Sequence, residues 1–470
     1  MATPQILSLP TGTSKLKAVT ERVEALTEDL EDPQNPGFEP DDRANALEQL
    51  KLYSRDLKDA EPLYTEESFT MLLRQAFDCE WAPFTKSSRA AMRVICNLMF
   101  QICPLRQVFI DKGFAPKACK VLKSKDYDDE FLVSRIILLA TYDTKNLNLE
   151  GLIENEELAN HIIGNLAKHA ELMNSKAKSE PIQDMALIET LKLLFNVTHY
   201  CLDKAPMFNA AVPHLAVLLF KADVSQTNPL DPPVGFIVNG FLNLDLGSPE
   251  SQEAIHPKED PEKVVARFID ILDAAIRTVP DQQKNASVMP VVSLIRTIHQ
   301  HAPDSSKKFI REKLLPTEAD REEVLGKGDS LPAKLLQNST NPIADALRVM
   351  IQHLLFEMSD KDAHKFVENV GYGLASGFLF ENNIPVPVSA SEAKTHKPIN
   401  PITGQFVDAE KPVEEPEMTE EEKEREAERL FVLFERLKKT GIVDIQNPVE
   451  AAVREGRYRE LKDDEVEELD

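Results

Sequence analysis

Long apolar runs are missing from this 470-residue chain. No stretch reaches the roughly 18 consecutive apolar residues a membrane-spanning helix needs, so no transmembrane segment is expected. The opening Met1-Ala2-Thr3-Pro4-Gln5 has no basic run followed by an apolar core, and no secretory leader is expected. Aromatic residues are scarce, at 6% with a single Trp, which argues against an aromatic-rich sugar or cation binder. Basic residues are outnumbered, 54 Lys and Arg against 79 Asp and Glu. The resulting net charge of −25 excludes a general binder of nucleic acid or anionic membrane, since both require basic surface. Cysteines number five (Cys79, Cys96, Cys103, Cys119 and Cys201), an odd count without zinc spacing, and several fall on apolar helical stripes where a thiol acts as a small hydrophobe. The composition fits reduced thiols in the cytosol.

Catalytic motifs are equally absent. There is no nucleophile elbow, no Cys/His/Asn set and no zinc motif. Gly371-Tyr-Gly373-Leu-Ala-Ser-Gly377 has the look of a phosphate loop, but no Gly-Lys-Ser/Thr follows and no strand leads in, so a tight turn into a helix is the better reading. His299 and His301 stand two apart and cannot share a helix face, and no carboxylate or Cys cluster supports a metal there. Glu420 to Glu422 reads as a solvated helix start. No catalytic residue, metal or cofactor is expected.

What is present is a recurring phrase: an apolar helical stripe interrupted by one polar residue. Arg93-Val-Ile-Cys-Asn97-Leu is the first instance, followed by Leu191-Lys-Leu-Leu-Phe-Asn196-Val-Thr and Val238-Asn-Gly-Phe-Leu-Asn243-Leu. Phe131-Leu-Val-Ser-Arg135-Ile-Ile and Val291-Val-Ser-Leu-Ile-Arg296-Thr are variants with Arg in the polar slot. The steps between Asn97, Arg135, Asn196, Asn243 and Arg296 are 38, 61, 47 and 53 residues, the scale of armadillo or HEAT units with insertions. Such repeats stack into an all-α superhelix whose inner face binds partners, so the chain reads as a binding surface.

From Thr13 to Phe380 apolar residues recur at helical spacing, with breaks at Asp32-Pro33, Pro104, Gly113, Pro206, Asp231-Pro232-Pro233, Pro280, Pro303 and Asn341-Pro342. Lys313 to Leu335 is polar and reads as holding a surface loop. Residues 1–382 are assigned to the helical solenoid, and 383–417, too rich in Pro to pack as helix, to an extended linker over the surface. Thr419-Glu-Glu-Glu422 forms a capping box that starts an amphipathic helix over 418–445, with Leu430, Phe431, Leu433, Phe434 and Leu437 on its apolar side. That helix either docks on the solenoid or serves as an arm for a partner, and the Pro-rich tether favours the arm. An acidic tail, 446–470, closes the chain. From Asp408 onward 22 acidic and 11 basic residues give −11, nearly half the total charge.

Arg93 and Asn97, Lys192 and Asn196, and Asn239 and Asn243 are i, i+4 pairs that share a helix face. A buried polar group costs free energy unless paired. Two readings of the Asn residues stand side by side. They bond neighbouring backbone at repeat junctions, or they line a groove and bond the main chain of a bound peptide. Arg135 and Arg296 in an acidic protein suit the groove, holding a partner carboxylate.

The order of these phrases resembles the synembryn family (resistance to inhibitors of cholinesterase). The pieces that carry the likeness are Val94-Ile-Cys-Asn-Leu, the Asn196 and Asn243 phrases, Lys308-Phe-Ile-Arg-Glu-Lys-Leu-Leu-Pro316, Phe366-Val-Glu-Asn-Val-Gly-Tyr-Gly-Leu-Ala-Ser-Gly377 and the run from Met418 to Gly441. Coverage runs from about residue 85 to 450. The resemblance implies an armadillo/HEAT-like superhelix with a C-terminal arm, acting as a non-catalytic guanine nucleotide exchange factor and folding chaperone for G protein α subunits. It implies that the concave face captures the Gα C-terminal helix while the arm grips the GTPase domain. It assigns Arg93, Asn97, Arg135, Asn196 and Asn243 to the Gα-tail groove, and Leu430, Phe431, Phe434 and Leu437 to the arm. Pro332 and Gln337 stand where the family has Arg, leaving Lys334 and Arg348 to meet the tail carboxylate. Thr419 fits an acidic-flanked phosphorylation site as well as a plain helix cap. A monomeric, cytoplasmic protein, recruited to the cell cortex through Gα, is the expectation. The other class kept open is an armadillo-type scaffold or peptide adaptor without exchange activity.

Overall fold

The computed structural model describes residues 10–32, 37–175, 179–385, 399–400, 403–410, 425 and 429. Among them are twenty α-helices and four short 3-10 turns, and no β-strand apart from an isolated bridge between Ile399 and Phe406. The expected all-α class is what the described residues form. The chain divides into two compact units, Met1–Ile310 and Arg311–Asp470.

The first unit holds α1 (Thr13–Glu31), α2 (Pro40–Tyr53), α3 (Glu66–Phe77), α4 (Lys86–Gln101), α5 (Cys103–Asp111), α6 (Phe114–Val121), α7 (Tyr127–Ala140), α8 (Leu149–Asn155), α9 (Leu158–Asn174), α10 (Pro181–Tyr200), α11 (Ala211–Lys221), α12 (Val234–Phe241), α13 (Pro249–Ile255), α14 (Lys263–Thr278) and α15 (Asp281–His301). Helix α16 covers Asp304–Leu314. Pro sits within the first two positions of α2, α5, α10 and α13, where its missing N–H costs nothing and its fixed φ suits the helix. A reciprocal Thr85–Ser88 capping box starts α4, and the Asp126 side chain caps α7.

Two layers make up this unit. One is a row in which α2 packs on α4, α4 on α7, α7 on α10, α10 on α12 and α12 on α15. The other backs it: α3 lies against α4, α6 against α7, α9 against α10, α11 against α12 and α14 against α15. A row helix with neighbours on both sides and behind is covered nearly all round, and its sequence reflects that. Leu132, Val133, Ile136, Ile137 and Ala140 of α7 are all buried, as are Leu191, Leu193, Leu194 and Val197 of α10. Each such side chain contributes about 1.5–3 kcal/mol relative to exposure. Charged staples fix the register at the N-terminal ends. Arg89 of α4 donates two bonds to the buried Asp129 of α7, at 2.7 and 2.9 Å.

The second unit contains α17 (Leu331–Asn338), α18 (Asp345–Met358), α19 (Ala363–Val370) and α20 (Tyr372–Glu381). Phe356, Phe366 and Phe378 form its aromatic centre, with ring centroids 5.3 to 5.5 Å apart in tilted and edge-on pairs. Gly371 separates α19 from α20 at φ 82°, which is the tight turn expected of the Gly-Tyr-Gly segment.

Residues 399–400 and 403–410 belong to the Pro-rich stretch, and in the structure they are held down against the second unit. Buried Arg321, from the segment read as a surface loop, donates to the Gly404 carbonyl at 2.9 Å and to the Glu368 carbonyl at 2.8 Å. The Phe406 amide returns a bond to the Arg321 carbonyl at 2.9 Å, and the Phe406 ring is buried. The arm positions Leu430, Phe431, Phe434 and Leu437, and Thr419, lie outside the described residues.

Candidate partner-binding face

Each repeated phrase of the sequence falls on a helix of the row. Arg93 and Asn97 are on α4, Arg135 on α7, Asn196 on α10, Asn243 just past α12 and Arg296 on α15. The polar slot recurs because the row helices meet their neighbours in the same way. Asn97 Nδ2 donates to the Ser54 hydroxyl at 2.9 Å and to the Lys51 carbonyl at 3.3 Å, both at the end of α2. Asn196 Nδ2 donates to the Thr141 hydroxyl at 2.8 Å, at the end of α7. Asn243 Nδ2 donates to the Thr198 hydroxyl at 3.3 Å and the Phe195 carbonyl at 3.2 Å, in the last turns of α10.

The three hydroxyls are oriented alike. Ser54 donates to the Lys51 carbonyl, Thr141 to that of Leu138 and Thr198 to that of Leu194. With the O–H turned back on its own helix, a lone pair faces the incoming amide. This ladder was not read from the sequence. Its signal was a Ser or Thr at the end of the preceding row helix, visible only once the order of packing is known.

The Arg residues bridge neighbours in the same row. Arg93 reaches Glu48 of α2 at 3.0 Å and Asp128 of α7 at 2.6 Å. Burial works to raise the Glu48 pKa, but bonds and charge from Lys51 and Arg93 prevail and hold it below the ordinary carboxylate value. Arg135 lies 3.4 Å from buried Glu189 of α10, which also takes Lys192 at 3.0 Å. Both cations also face aromatic rings. The Arg135 guanidinium is 5.8 Å from the centroid of Phe100, and the Lys192 ammonium is 5.0 Å from that of Phe236. Phe100 is 62% exposed and Tyr200 is 55% exposed, large apolar surface left to solvent on this side of α4 and α10.

The row therefore brings Arg93, Asn97, Arg135, Asn196, Asn243 and Arg296 onto successive helices of one layer. Lys334 and Arg348 belong to the second unit, on α17 and α18, with Lys334 paired to Asp329 at 3.1 Å. His299 is buried and His301 exposed, and no group of three or more His, Cys, Asp or Glu among the described residues is placed to hold a metal. No described helix is long and apolar enough to cross a membrane.

The model of the family described as guanine nucleotide exchange factor synembryn (Ric8) matches residues 46–457. A synembryn-like chaperone of Schizosaccharomyces pombe is 26% identical over 370 residues, 73% of this chain and 68% of its own. Chaperone Ric-8A of Macaca fascicularis is 25% identical over 455 residues, 87% of this chain and 83% of its own. Chaperone Ric-8A of Xenopus tropicalis is 24% identical over 460 residues, 87% and 84% respectively. A solved engineered protein aligns with 75% of this chain and 98% of its own at 13% identity, and its TM-score of 0.33 says nothing of fold. On a family match that spans most of its length, the chain belongs to the synembryn family of guanine nucleotide exchange factors.

Proposed function

We propose that this protein binds G protein α subunits, captures their C-terminal helix on the accessible face of the α4–α7–α10–α12–α15 row, and stabilises their nucleotide-free state. The observation that carries this reading is the repeated placement of half-exposed cations over aromatic rings, Arg135 with Phe100 and Lys192 with Phe236, on successive helices. Such a face offers apolar area to one side of an amphipathic helix and charge-assisted bonds to its polar groups. In the free protein the basic groups rest on Glu48, Asp128 and Glu189. A partner carboxylate that takes Arg135 leaves Glu189 paired with Lys192, and one that takes Arg93 leaves Glu48 paired with Lys51.

No catalytic side chain is required. A protein that binds nucleotide-free Gα better than the GDP-bound form speeds GDP release by shifting the population, and the same grip protects newly made Gα, which is a chaperone's work. The family match and the chaperone names of the relatives support this reading. The arm over 418–445 supplies the second hold, on the GTPase domain.

The test is GDP release from a purified Gα subunit with and without this protein. Dose-dependent acceleration, reversed by excess GTP, is expected. Binding of an isolated Gα tail peptide as tight as that of whole Gα, with no change in GDP release, would replace the proposal with a peptide adaptor.

A further inference from the structure

Where α7 and α10 end, a cavity of about 490 Å³ opens between them and the loop leading into α8. That is the size of sites that hold a small ligand or a few residues of a peptide. Its buried lining is Thr141, Leu149 and Cys201, and its exposed lining includes Glu150 and Tyr200. Glu150 is the only charged residue of that lining, and its carboxylate has no ion pair or hydrogen bond among the described residues. Nearby cations are engaged with other carboxylates. Arg106 lies 3.4 Å from Asp143, and Lys204 lies 2.6 Å from Glu154 and 3.5 Å from Asp203. Lys145, in the same loop, does not line the cavity.

The cavity has negative character from more than Glu150. Thr141 and Cys201 are the C-cap residues of α7 and α10, so two helix C-termini, each carrying roughly half a negative charge, end at its wall. Cys201 feels this field: its thiol is pushed up first by burial and then by Glu150 and Asp203, with Lys204 opposing. Tyr200, 55% exposed, adds an aromatic ring to the same wall. An anion would be repelled here. A neutral apolar group would cover Glu150 without pairing it, at a cost in free energy. A cation meets both the carboxylate and the ring. Of the side-chain cations the guanidinium suits the pair better than the ammonium. It is planar and weakly hydrated, stacks on aromatic faces and donates to a carboxylate in a fork. We propose that this cavity is a docking site for an arginine presented by a partner protein's segment, its guanidinium stacking on Tyr200 and pairing with Glu150. The site stands apart from the proposed capture of Gα on the row, and neither reading depends on the other.

Methyl NMR of the full-length protein tests this. Signals of Thr141, Leu147 and Leu149 report the cavity, and those of Leu191 and Leu194 in α10 report an intact fold. The probe is a capped Gly-Gly-Arg-Gly-Gly peptide, with versions carrying citrulline (the same shape without the charge) or lysine at the centre as controls. Saturable shifts of the cavity methyls are expected with the arginine peptide. The citrulline peptide should bind about fivefold more weakly, and so should the arginine peptide to Glu150→Gln, since each change removes one partly exposed charge pair. Tyr200→Leu should weaken the arginine peptide about threefold. Added salt should weaken binding to the unaltered protein more than to Glu150→Gln. Equal binding of the arginine and citrulline peptides overturns the cation site, a comparison that needs no variant to fold. Equal binding of the lysine peptide overturns the choice of guanidinium. Shifts that survive both substitutions unchanged, or no shift of the cavity methyls at tens of millimolar arginine peptide, overturn the docking site itself.

Discussion

Asn97 and Ser54 are joined by a hydrogen bond of 2.9 Å that ties the last turns of α4 to the end of α2. The same bond recurs as Asn196 to Thr141 and Asn243 to Thr198. A polar rung at three of the five junctions of the row specifies register where apolar packing alone would let row helices slide. Each rung joins residues 43 to 55 apart in sequence, so it also closes one repeat on the next.

The Asn196–Thr141 rung is the most buried of the three and gives the cleanest measure of what a rung is worth. Asn196→Ala and Thr141→Val are each expected to lower stability by about 1–2 kcal/mol, since each leaves a buried polar partner unsatisfied. The double variant should lose less than the sum, with a coupling of about 1 kcal/mol. Urea unfolding of the four proteins reads this directly. Additive losses would mean that the bond contributes nothing beyond the separate side chains.

The repeat was legible in the sequence because its apolar stripes are dense: the Asn97, Arg135, Asn196, Asn243 and Arg296 phrases mark five helices of the row in order. What each Asn does was not legible. Its hydroxyl partner lies 43 to 55 residues away at no constant spacing, so the sequence does not show which Ser or Thr each Asn meets. Arg321 was missed for a different reason. It sits in a polar stretch with Gly326 and Gly328, whose composition is that of a surface loop, yet its guanidinium is buried by a segment some 83 residues further on. Pro-rich composition around residue 400 carries no information on what the segment lies against.

Acid sensitivity should centre on Glu130. Its fully buried carboxylate accepts from Thr190 at 2.7 Å and lies 2.8 Å from His169 Nε2 and 2.6 Å from Lys168 Nζ. Burial pushes its pKa up, but bonding and charge from His169 and Lys168 win, leaving it below the usual carboxylate value. A carboxylate with a lowered folded pKa contributes stability that is complete above its unfolded pKa and is lost as pH falls through the folded one. Stability should therefore hold down to about pH 4.5 and fall below it. Glu130→Gln should cost about 3 kcal/mol at neutral pH by leaving Lys168 without its partner, and should flatten the acid dependence. Urea midpoints between neutral pH and pH 3 check both halves.

Thiol chemistry should be confined to one position. Burial raises the pKa of Cys96 and Cys119 to about 12 and that of Cys79 to about 11, which removes the reactive thiolate at ordinary pH. Cys103, at the first position of α5, is the exposed cysteine. Brief iodoacetamide treatment of the native protein at pH 8 should modify Cys103 first, with Cys96 and Cys119 reacting only after unfolding. Peptide mapping by mass spectrometry would show early labelling of Cys96 if α4 opens readily.

On the proposed face, Arg135 is the residue whose loss should be felt in binding more than in folding. It is about one third exposed, and Lys192 remains beside Glu189 when it is removed. Arg135→Ala should weaken a Gα tail peptide by about tenfold, equivalent to ~1.4 kcal/mol, with little change in unfolding midpoint. The affinity of the unaltered protein should fall with added salt more steeply than that of the variant, because one charge-assisted contact has gone. Isothermal titration at two ionic strengths separates the outcomes. Equal salt slopes would move the carboxylate contact elsewhere, with Lys334 and Arg348 of the second unit next in line.

The final prediction divides the two holds that the exchange mechanism invokes. Tail capture alone is a binding event at one end of Gα, and it shifts the nucleotide equilibrium only as far as it discriminates between GDP-bound and nucleotide-free forms. A second contact on the GTPase domain adds discrimination, because that domain is the part whose conformation depends on nucleotide. Ending the chain after Glu417 removes Leu430, Phe431, Phe434 and Leu437 while keeping every described residue of the row. The shortened protein should bind a tail peptide with unchanged affinity and lose most of its acceleration of GDP release, by tenfold or more if the arm supplies about 1.4 kcal/mol of that discrimination. Stopped-flow release of a fluorescent GDP analogue, beside peptide titration on the same preparation, gives both numbers. Full exchange activity without residues 418–470 would place all the discrimination on the helical row and leave the segment carrying Leu430, Phe431, Phe434 and Leu437 with a different task.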